Sequence, residues 1–252
     1  MKGPYSAGLG RRAPGAFLAD LIWPPRSLLS DQIVERPGVI EAEAWRGLHF
    51  LTDPLCAQCG FPLPDDVGAM GVCAACAADA PGDERARAAL SYDDVSSRLV
   101  LDLKRGGRRD GLPVFASWMA SAAGALIQDA DLIAPVPMHW TRLAARTFNQ
   151  AAWLAQALAR LAGKPWAPAA LVRTKRRRSQ GGLSASERRR NVGGAIRARA
   201  ELVTGRRVLV VDDVMTTGAT LEACARALRK AGAGGVDAVT LTRVVRPVDV
   251  LI

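Results

Sequence analysis

The chain has 252 residues, with 34 Lys and Arg against 24 Asp and Glu for a net charge of +10, and it is 49% hydrophobic but only 5% aromatic. This is the composition of a globular chain rather than a disordered one, long enough for one α/β core of roughly 150 to 200 residues with something smaller attached. No apolar run approaches the roughly 20 residues needed to cross a bilayer, which excludes a membrane-spanning helix as an expectation.

Arg11 and Arg12 precede an apolar stretch at residues 15–22, but Asp20 interrupts it and Pro24-Pro25 follow without a cleavage site. No secretion signal is expected there, and the chain is expected in the cytoplasm, with residues 1–20 as an N-terminal arm. Next comes Pro24-Pro25-Arg26-Ser27-x2-Ser30, then Glu41-x2-Ala44-Trp45, the outline of a two-knuckle unit. Serine hydroxyls, a carboxylate and an alanine methyl do not replace four thiolates. Residues 21–50 should therefore hold no metal and depend on packing by Leu28, Leu29, Ile33, Ile40 and Trp45; an ordinary N-terminal arm is the alternative.

Four of the five cysteines then form Cys56-x2-Cys59-x13-Cys73-x2-Cys76, with Gly60, Pro62, Pro64 and Gly71 supplying turns. Two such knuckles present four thiolates in a tetrahedron, which suits Zn²⁺. Two disulfides would want a secretory context, and a redox CxxC would want a surrounding βαβ unit, so both compete less well. A site closed by four protein ligands is structural, and residues 51–82 are assigned to it. His49 is not needed as a ligand, and Cys224 falls on the apolar side of a later helix.

From residue 83 the pattern is that of a larger domain. Leu90-Ser-Tyr-Asp-Asp94 reads as a strand running into a helix over residues 95–104, ended by Gly106 and Gly107. Another helix is expected over residues 114–128, a short strand over 131–137 stopped by prolines, and a helix over 149–162 with Ala152, Ala155, Leu158 and Leu161 inward. Lys104 and Arg105 read as an exposed basic turn with phosphate contact as the alternative. Arg142 and Arg146 are four apart, on one face if that segment is helical.

The charge is concentrated. Residues 173–199 hold ten Lys or Arg, among them Arg176, Arg177, Arg178 and Arg188, against the single acid Glu187. Ser179-Gln-Gly-Gly-Leu-Ser184 is too glycine-rich for a continuous helix, so a mobile basic loop is expected. Its partner is a nucleic-acid backbone, a pyrophosphate or solvent alone.

The most informative run is Val208-Leu-Val-Val-Asp-Asp-Val-Met-Thr-Thr-Gly-Ala-Thr220. Four apolar residues suit a strand buried on both faces of a parallel sheet, which delivers Asp212 and Asp213 to the carboxyl end, where ligands bind. Thr216, Thr217, Gly218, Ala219 and Thr220 then open an amphipathic helix over 219–231, whose N-terminus is a seat for an anion. An Asp pair that merely caps the helix is the plain alternative. All thirteen positions resemble the motif of the type I phosphoribosyltransferases. That resemblance implies that Asp212 and Asp213 hold a ribose, and that residues 216–220 hold the 5-phosphate of phosphoribosyl pyrophosphate (PRPP).

A narrower resemblance covers roughly residues 21–245. The CxxC knuckles, Tyr92, Leu103-Lys104, Pro135-Val-Pro137, His139, Arg142, Phe148-Asn-Gln150, Ser179-Gln180, Leu183-Ser184, Glu187-Arg188, Asn191-Val192 and the run at 208–220 occur in that order. Together they are similar to the ComF (ComFC) family of competence-related, phosphoribosyltransferase-like proteins with a double zinc ribbon. The implied fold is α/β: a type I phosphoribosyltransferase-like core with a mainly parallel sheet over residues 83–252, plus a small N-terminal zinc-ribbon domain. His139, Arg142 and Arg146 would receive pyrophosphate, Mg²⁺ would bridge pyrophosphate and ribose, and the basic loop would close over the phosphates. Two departures stand out: the upstream ribbon lacks cysteines, so one zinc is expected, and Thr147 replaces the glycine before Phe-Asn-Gln. Three functions stand as candidates: a transferase acting on a nucleobase-like acceptor; a DNA-uptake factor, the role the family's link to competence implies, that binds single-stranded DNA or DNA-uptake proteins and senses or uses PRPP; and a noncatalytic interaction protein with the ribbon as docking module and a vestigial pocket. Paired subunits, common among related folds, make a homodimer the candidate assembly.

Overall fold

The computed structural model describes residues 24–30, 32–64, 71–79, 81, 84–105, 109–138, 148–173 and 196–245. In chain order these form helices α1 (Ala42–Arg46) and α2 (Ala74–Ala78), strand β1 (Arg85–Ser91), and helices α3 (Asp94–Lys104), α4 (Leu112–Ala122) and α5 (Gly124–Asp129). Strand β2 (Leu132–Pro135), helix α6 (Gln150–Ala162), strands β3 (Leu171–Arg173) and β4 (Ile196–Ala198) and helix α7 (Ala200–Val203) follow. Strand β5 (Arg207–Met215), helix α8 (Ala219–Lys230) and strand β6 (Gly235–Arg243) complete the set.

Strand β5 carries the architecture. Val208, Leu209, Val210 and Val211 are wholly buried, as a strand covered on both faces requires. It pairs in parallel with β2 on one side and β6 on the other, and β6 pairs in parallel with β1, giving the order β1-β6-β5-β2. Leu209 and Val211 face a core built with Leu99, Leu103, Phe115, Met119 and Leu158, while Val208 and Val210 face a second core with Leu221, Cys224 and Leu228 of α8. Strands β3 and β4 make a separate antiparallel pair at the two ends of the basic block, whose residues 174–195 lie outside the described set.

The free edge of β1 is covered by the N-terminal region. The Ser91 N–H donates to the His49 carbonyl at 2.8 Å, the Leu51 N–H to Ala89 at 3.0 Å, and the Ala86 N–H to Gln58 at 2.6 Å. Backbone groups that would otherwise invite another chain are thereby satisfied. Gly60 permits the approach: its φ is +68°, and a Cβ there would lie 2.6 Å from the Ala86 carbonyl oxygen. Leu28, Leu29 and Leu48 enter the same core as α3 and α4.

Several elements differ from the pattern in the sequence. The strand before α3 begins at Arg85, five residues ahead of Leu90, with small Ala86, Ala88 and Ala89 buried in place of large apolar residues. The expected helix over 114–128 is two helices, α4 and α5, broken at Ala123 (φ −119°, ψ 25°) beside Gly124, a weak helix former. In α6 the buried stripe is Ala151, Leu154, Ala155, Leu158 and Ala159, and Leu161 is 41% exposed. Ala152, Ala155, Leu158 and Leu161 form an equally good helical row, but the side that meets β2 and β5 is rotated from it. Strand β6 is buried at all nine positions and so has no alternation to mark it.

At the amino ends of the strands, Asp237 is fully buried and accepts from Arg85 Nε (3.0 Å), Arg85 Nη2 (2.9 Å) and Arg207 Nη1 (2.9 Å), tying β1, β5 and β6 together. These bonds raise the pKa of Arg85, with Asp237 the largest contributor. Removing one partner of a buried pair leaves the other charge uncompensated. Asp237→Ala is therefore expected to cost about 3–5 kcal/mol in denaturant unfolding; a change below about 1 kcal/mol would show that the guanidinium groups reach water instead.

Candidate functional site

Past the carboxyl end of β5 the chain turns sharply into α8. Thr216 and Thr217 are exposed. Gly218 is the N-cap residue at φ +74°, no side chain caps α8, and a Cβ added at Gly218 would meet nothing within 4 Å. The open first turn of a twelve-residue helix is a place where backbone N–H groups and the helix dipole receive an anion.

The two acids differ in setting. Asp213 is 5% exposed, and its Oδ2 accepts from Gln150 Nε2 at 3.2 Å and faces Lys104 Nζ at 3.2 Å. Its carbonyl also accepts from Thr242 Oγ1 at 3.2 Å. Asp212 is half-buried and accepts from the Asp213 N–H at 2.9 Å. Burial pushes the Asp212 carboxyl well above the usual carboxylate range, the charge of Asp213 adds to the rise, and Lys104 partly offsets it. A carboxylate held above its ordinary pKa beside a second acid gains from an arriving cation or hydroxyl donor.

Lys104 is thus more than an exposed basic turn, since it reaches the acid pair from the end of α3. Gln150 comes from the first turn of α6, where Asn149 caps the helix by accepting from the Ala151 N–H at 3.1 Å and donates to the Val136 carbonyl at 3.1 Å. Gln150 Oε1 is buried without a partner among the described residues. The sequence marks Phe148-Asn-Gln150 as a motif, but not that Gln150 meets Asp213, a contact across 63 residues. His139, Arg142, Arg146, Arg176, Arg177, Arg178 and Arg188 lie outside the described residues.

The four cysteines of the two knuckles converge. Their sulfurs all lie within 4.8 Å of one another, and Cys59 and Cys73 are 3.7 Å apart. Zn–S bonds of about 2.3 Å in a tetrahedron place sulfurs about 3.8 Å apart, so the donor set fits zinc. The Cys73 N–H donates to Cys56 Sγ at 3.3 Å. Crowding drives the thiols apart: hydrogen bonds from Cys59 and Cys76 lower Cys56, while donating to Cys56 raises Cys59 to about 11 and also pushes Cys76 up. The four knuckle cysteines are free of disulfides, and Cys224 is buried on the inner face of α8.

The upstream knuckle positions also converge, but on hydrogen bonds. Ser27, fully buried, donates to the Glu41 carboxylate, and the Leu29 N–H donates to Ser27 Oγ at 3.2 Å. Burial alone would raise the Glu41 pKa, yet hydrogen bonds from Ser27 and Ser30 hold it below the ordinary value. Ile33, expected to help pack this unit, is 68% exposed. Its partner in an isolated antiparallel bridge, Arg26, is likewise exposed, while Leu28 and Leu29 are buried.

Residues 149–246 match the phosphoribosyl transferase domain, and residues 18–81 match the double zinc ribbon domain, a span holding both the Ser27 unit and the four cysteines. DNA utilization protein YhgH of Escherichia coli O157:H7 is 33% identical over 207 residues, covering 75% of this chain and 84% of that protein. The chain belongs to the ComF family. A second relative is DNA utilization protein YhgH of Salmonella typhimurium, 32% identical over 199 residues with the same coverage. Competence protein F of Haemophilus influenzae is 37% identical over 115 residues, 45% of this chain and 50% of that protein. This ComF chain therefore has the α/β phosphoribosyltransferase-type core and N-terminal zinc-ribbon region that its motifs suggest. Among the described residues no helix is long and apolar enough to cross a membrane.

The raised Asp212 pKa has a consequence for stability. The folded state holds that proton more tightly than the unfolded chain, so stability present at low pH is lost as pH rises through the raised value. Asp212→Asn removes the penalty. The variant should melt at a higher temperature than the parent at neutral pH without ligand, with the gap closing in acid; a lower melting temperature at neutral pH would contradict the assignment.

Proposed function

We propose that the core, from about residue 83 onward, binds PRPP together with Mg²⁺ at the carboxyl end of β5. The observation that carries this reading is the junction of a clamped acid pair with an open helix N-terminus on one continuous strand-loop-helix unit. Asp212 and Asp213 would orient the ribose hydroxyls, and the residues from Thr216 to Thr220 would take the 5-phosphate through backbone N–H groups and hydroxyls. Magnesium, bound through substrate oxygens and water, would neutralise the pyrophosphate.

Transfer from such a donor makes a sugar cation-like demand that charge placement meets, so the acids position and stabilise without acting as an obligatory base. His139, Arg142 and Arg146 are assigned to the leaving pyrophosphate, and Arg176, Arg177, Arg178 and Arg188 to a loop that closes over the phosphates and keeps water out. The relatives' names, DNA utilization protein and Competence protein F, support a role in DNA uptake.

The deciding measurement is calorimetric titration of PRPP with Mg²⁺ into the parent and into Asp212→Asn/Asp213→Asn. Binding in the parent and a loss of at least about tenfold in the variant is expected, the scale of one or two charge-assisted contacts. No heat in the parent would remove PRPP as the ligand.

For the ribbon, residues 51–82 are proposed to hold one zinc through Cys56, Cys59, Cys73 and Cys76, while residues 21–50 hold none. Elemental analysis should give one zinc per chain, and Cys56→Ser should abolish it. Because folding of such units is tied to the metal, amide exchange at Leu51 and Ala86, which bond across to β1 and the ribbon, should rise in that variant. Two zinc ions per chain would overturn the metal-free reading of the Ser27 unit.

A further inference from the structure

A cavity of about 690 Å³ opens on the face of β1 that looks toward α4, away from the acid pair. That volume lies within the range of small-ligand sites. It exists because the facing walls are small: Ala89 of β1 lies opposite Ala122 and Ala125 at the end of α4 and start of α5.

One end of the cavity is aromatic. Trp45, Phe50 and Trp118 form a closed triangle with ring centroids 5.4 Å, 5.7 Å and 5.4 Å apart. In a chain with six Trp, five Phe and two Tyr, that is a concentration. Trp45 and Phe50 remain 45% and 36% exposed. Their tilted and edge-on packing leaves ring faces for a further planar group.

Along the floor lie two arginines in different states. Arg85 is matched by Asp237 and Asp129. Arg87 has no carboxylate within salt-bridge distance among the described residues. Its Nη1 is steadied by the carbonyls of Ala86 (2.7 Å), Ala57 (3.3 Å) and Cys56 (3.4 Å), which fixes the group without a carboxylate against it among the described residues. Thr52, Asp53 and Ser121 stand exposed at the rim with hydroxyls and a carboxylate.

From these features we infer that the cleft between β1, α4 and residues 50–55 is a second ligand site, for a nucleoside monophosphate. Its base stacks on the Trp45, Phe50 and Trp118 cluster, its phosphate meets Arg87, and its sugar and base edges meet the rim. Stacking on exposed aromatic rings holds any base, because each has a π-face. A single guanidinium with no carboxylate partner among the described residues suits one phosphate. A DNA strand would call for a track of cations, whereas Asp53 is a negative group on the rim. The site is separate from the PRPP pocket and stands or falls independently of it.

The test is calorimetric titration of AMP and of UMP into the zinc-loaded full chain, the Asp212→Asn variant, Trp45→Ala and Ser121→Trp. Ser121→Trp fills the cleft from an exposed helical position without deleting a contact, and melting temperature and zinc content check that each variant is folded. Expected are binding of both nucleotides to the parent, retention in Asp212→Asn and with saturating PRPP, and a loss of about tenfold or more in Trp45→Ala and Ser121→Trp, as for removal of one stacking partner. Adenosine and ribose 5-phosphate, each lacking one half of the ligand, should both bind more weakly than AMP. Four outcomes would overturn the inference: no nucleotide binding; binding lost in Asp212→Asn but kept in Ser121→Trp, which places the nucleotide at the acid pair; ribose 5-phosphate binding as well as AMP; or a thymidine oligomer binding through Trp45 when AMP and UMP do not.

Discussion

A carboxylate that is almost out of water has to be answered by polar partners, and Asp213 sets this requirement for the whole carboxyl end of the sheet. At 5% exposure it draws in Gln150 from the start of α6, Lys104 from the end of α3 and, through its backbone carbonyl, Thr242 of β6. Three elements distant in the chain must end at one place for the charge to be tolerated. Their ends enclose the loop before α8, so the same requirement that stabilises the acid also shapes the opening beside it. Asp212, one residue earlier, has only the Asp213 N–H and the more distant charge of Lys104 to answer it, and keeps a raised pKa. The unmet demand of one acid beside the satisfied demand of the other sets this pair apart from a structural ion pair, and the proposed binding site rests on that difference.

The other end of the sheet has the complementary arrangement. Asp237 is answered on the spot by Arg85 and Arg207, leaving nothing for a ligand to add. Asp213 and Asp237 are both buried acids on adjacent strands, but a buried charge whose partners saturate it fastens strands, whereas a pair only half satisfied would gain from a cation or hydroxyl. The ribbon region adds a third solution to the same problem. Four thiols at zinc spacing convene around a position suited to a cation, whereas at Ser27 and Glu41 hydroxyl hydrogen bonds hold the turn. Both units then serve the sheet, one by pairing with the open edge of β1 and the other by sending Leu28 and Leu29 into the core.

Much of this is legible in the residues. The thiol spacing and the run from Val208 to Thr220 are local codes: two knuckles, or one strand, loop and helix start, specify themselves within a few residues. Helix α3 is expected over residues 95–104 and forms from Asp94, its start closed by a capping box of Asp93 and Ser96 that the structure supplies. What escapes is anything decided by a distant partner. The face of α6 is ambiguous because two rows of Ala and Leu have helical spacing, and only the position of β2 and β5 chooses between them. Strand β6 escapes because burial on both faces erases alternation. Lys104 looks like a solvated turn until the fold brings it to Asp213.

The sequence by itself determined the chemistry: two adjacent acids after a buried strand, a small hydroxyl-rich loop, four thiols in two knuckles, and a block of positive charge. These rest on neighbours in the chain, where spacing alone fixes geometry. Only the tertiary structure decided which acid is clamped and which has its pKa raised, that Gln150 and Lys104 reach Asp213, and that the ribbon covers the sheet's edge. It also decided that Trp45, Phe50 and Trp118 meet around a cavity floored by Arg87. Each of these joins residues far apart in the chain, and burial, not spacing, sets the energy of the contact.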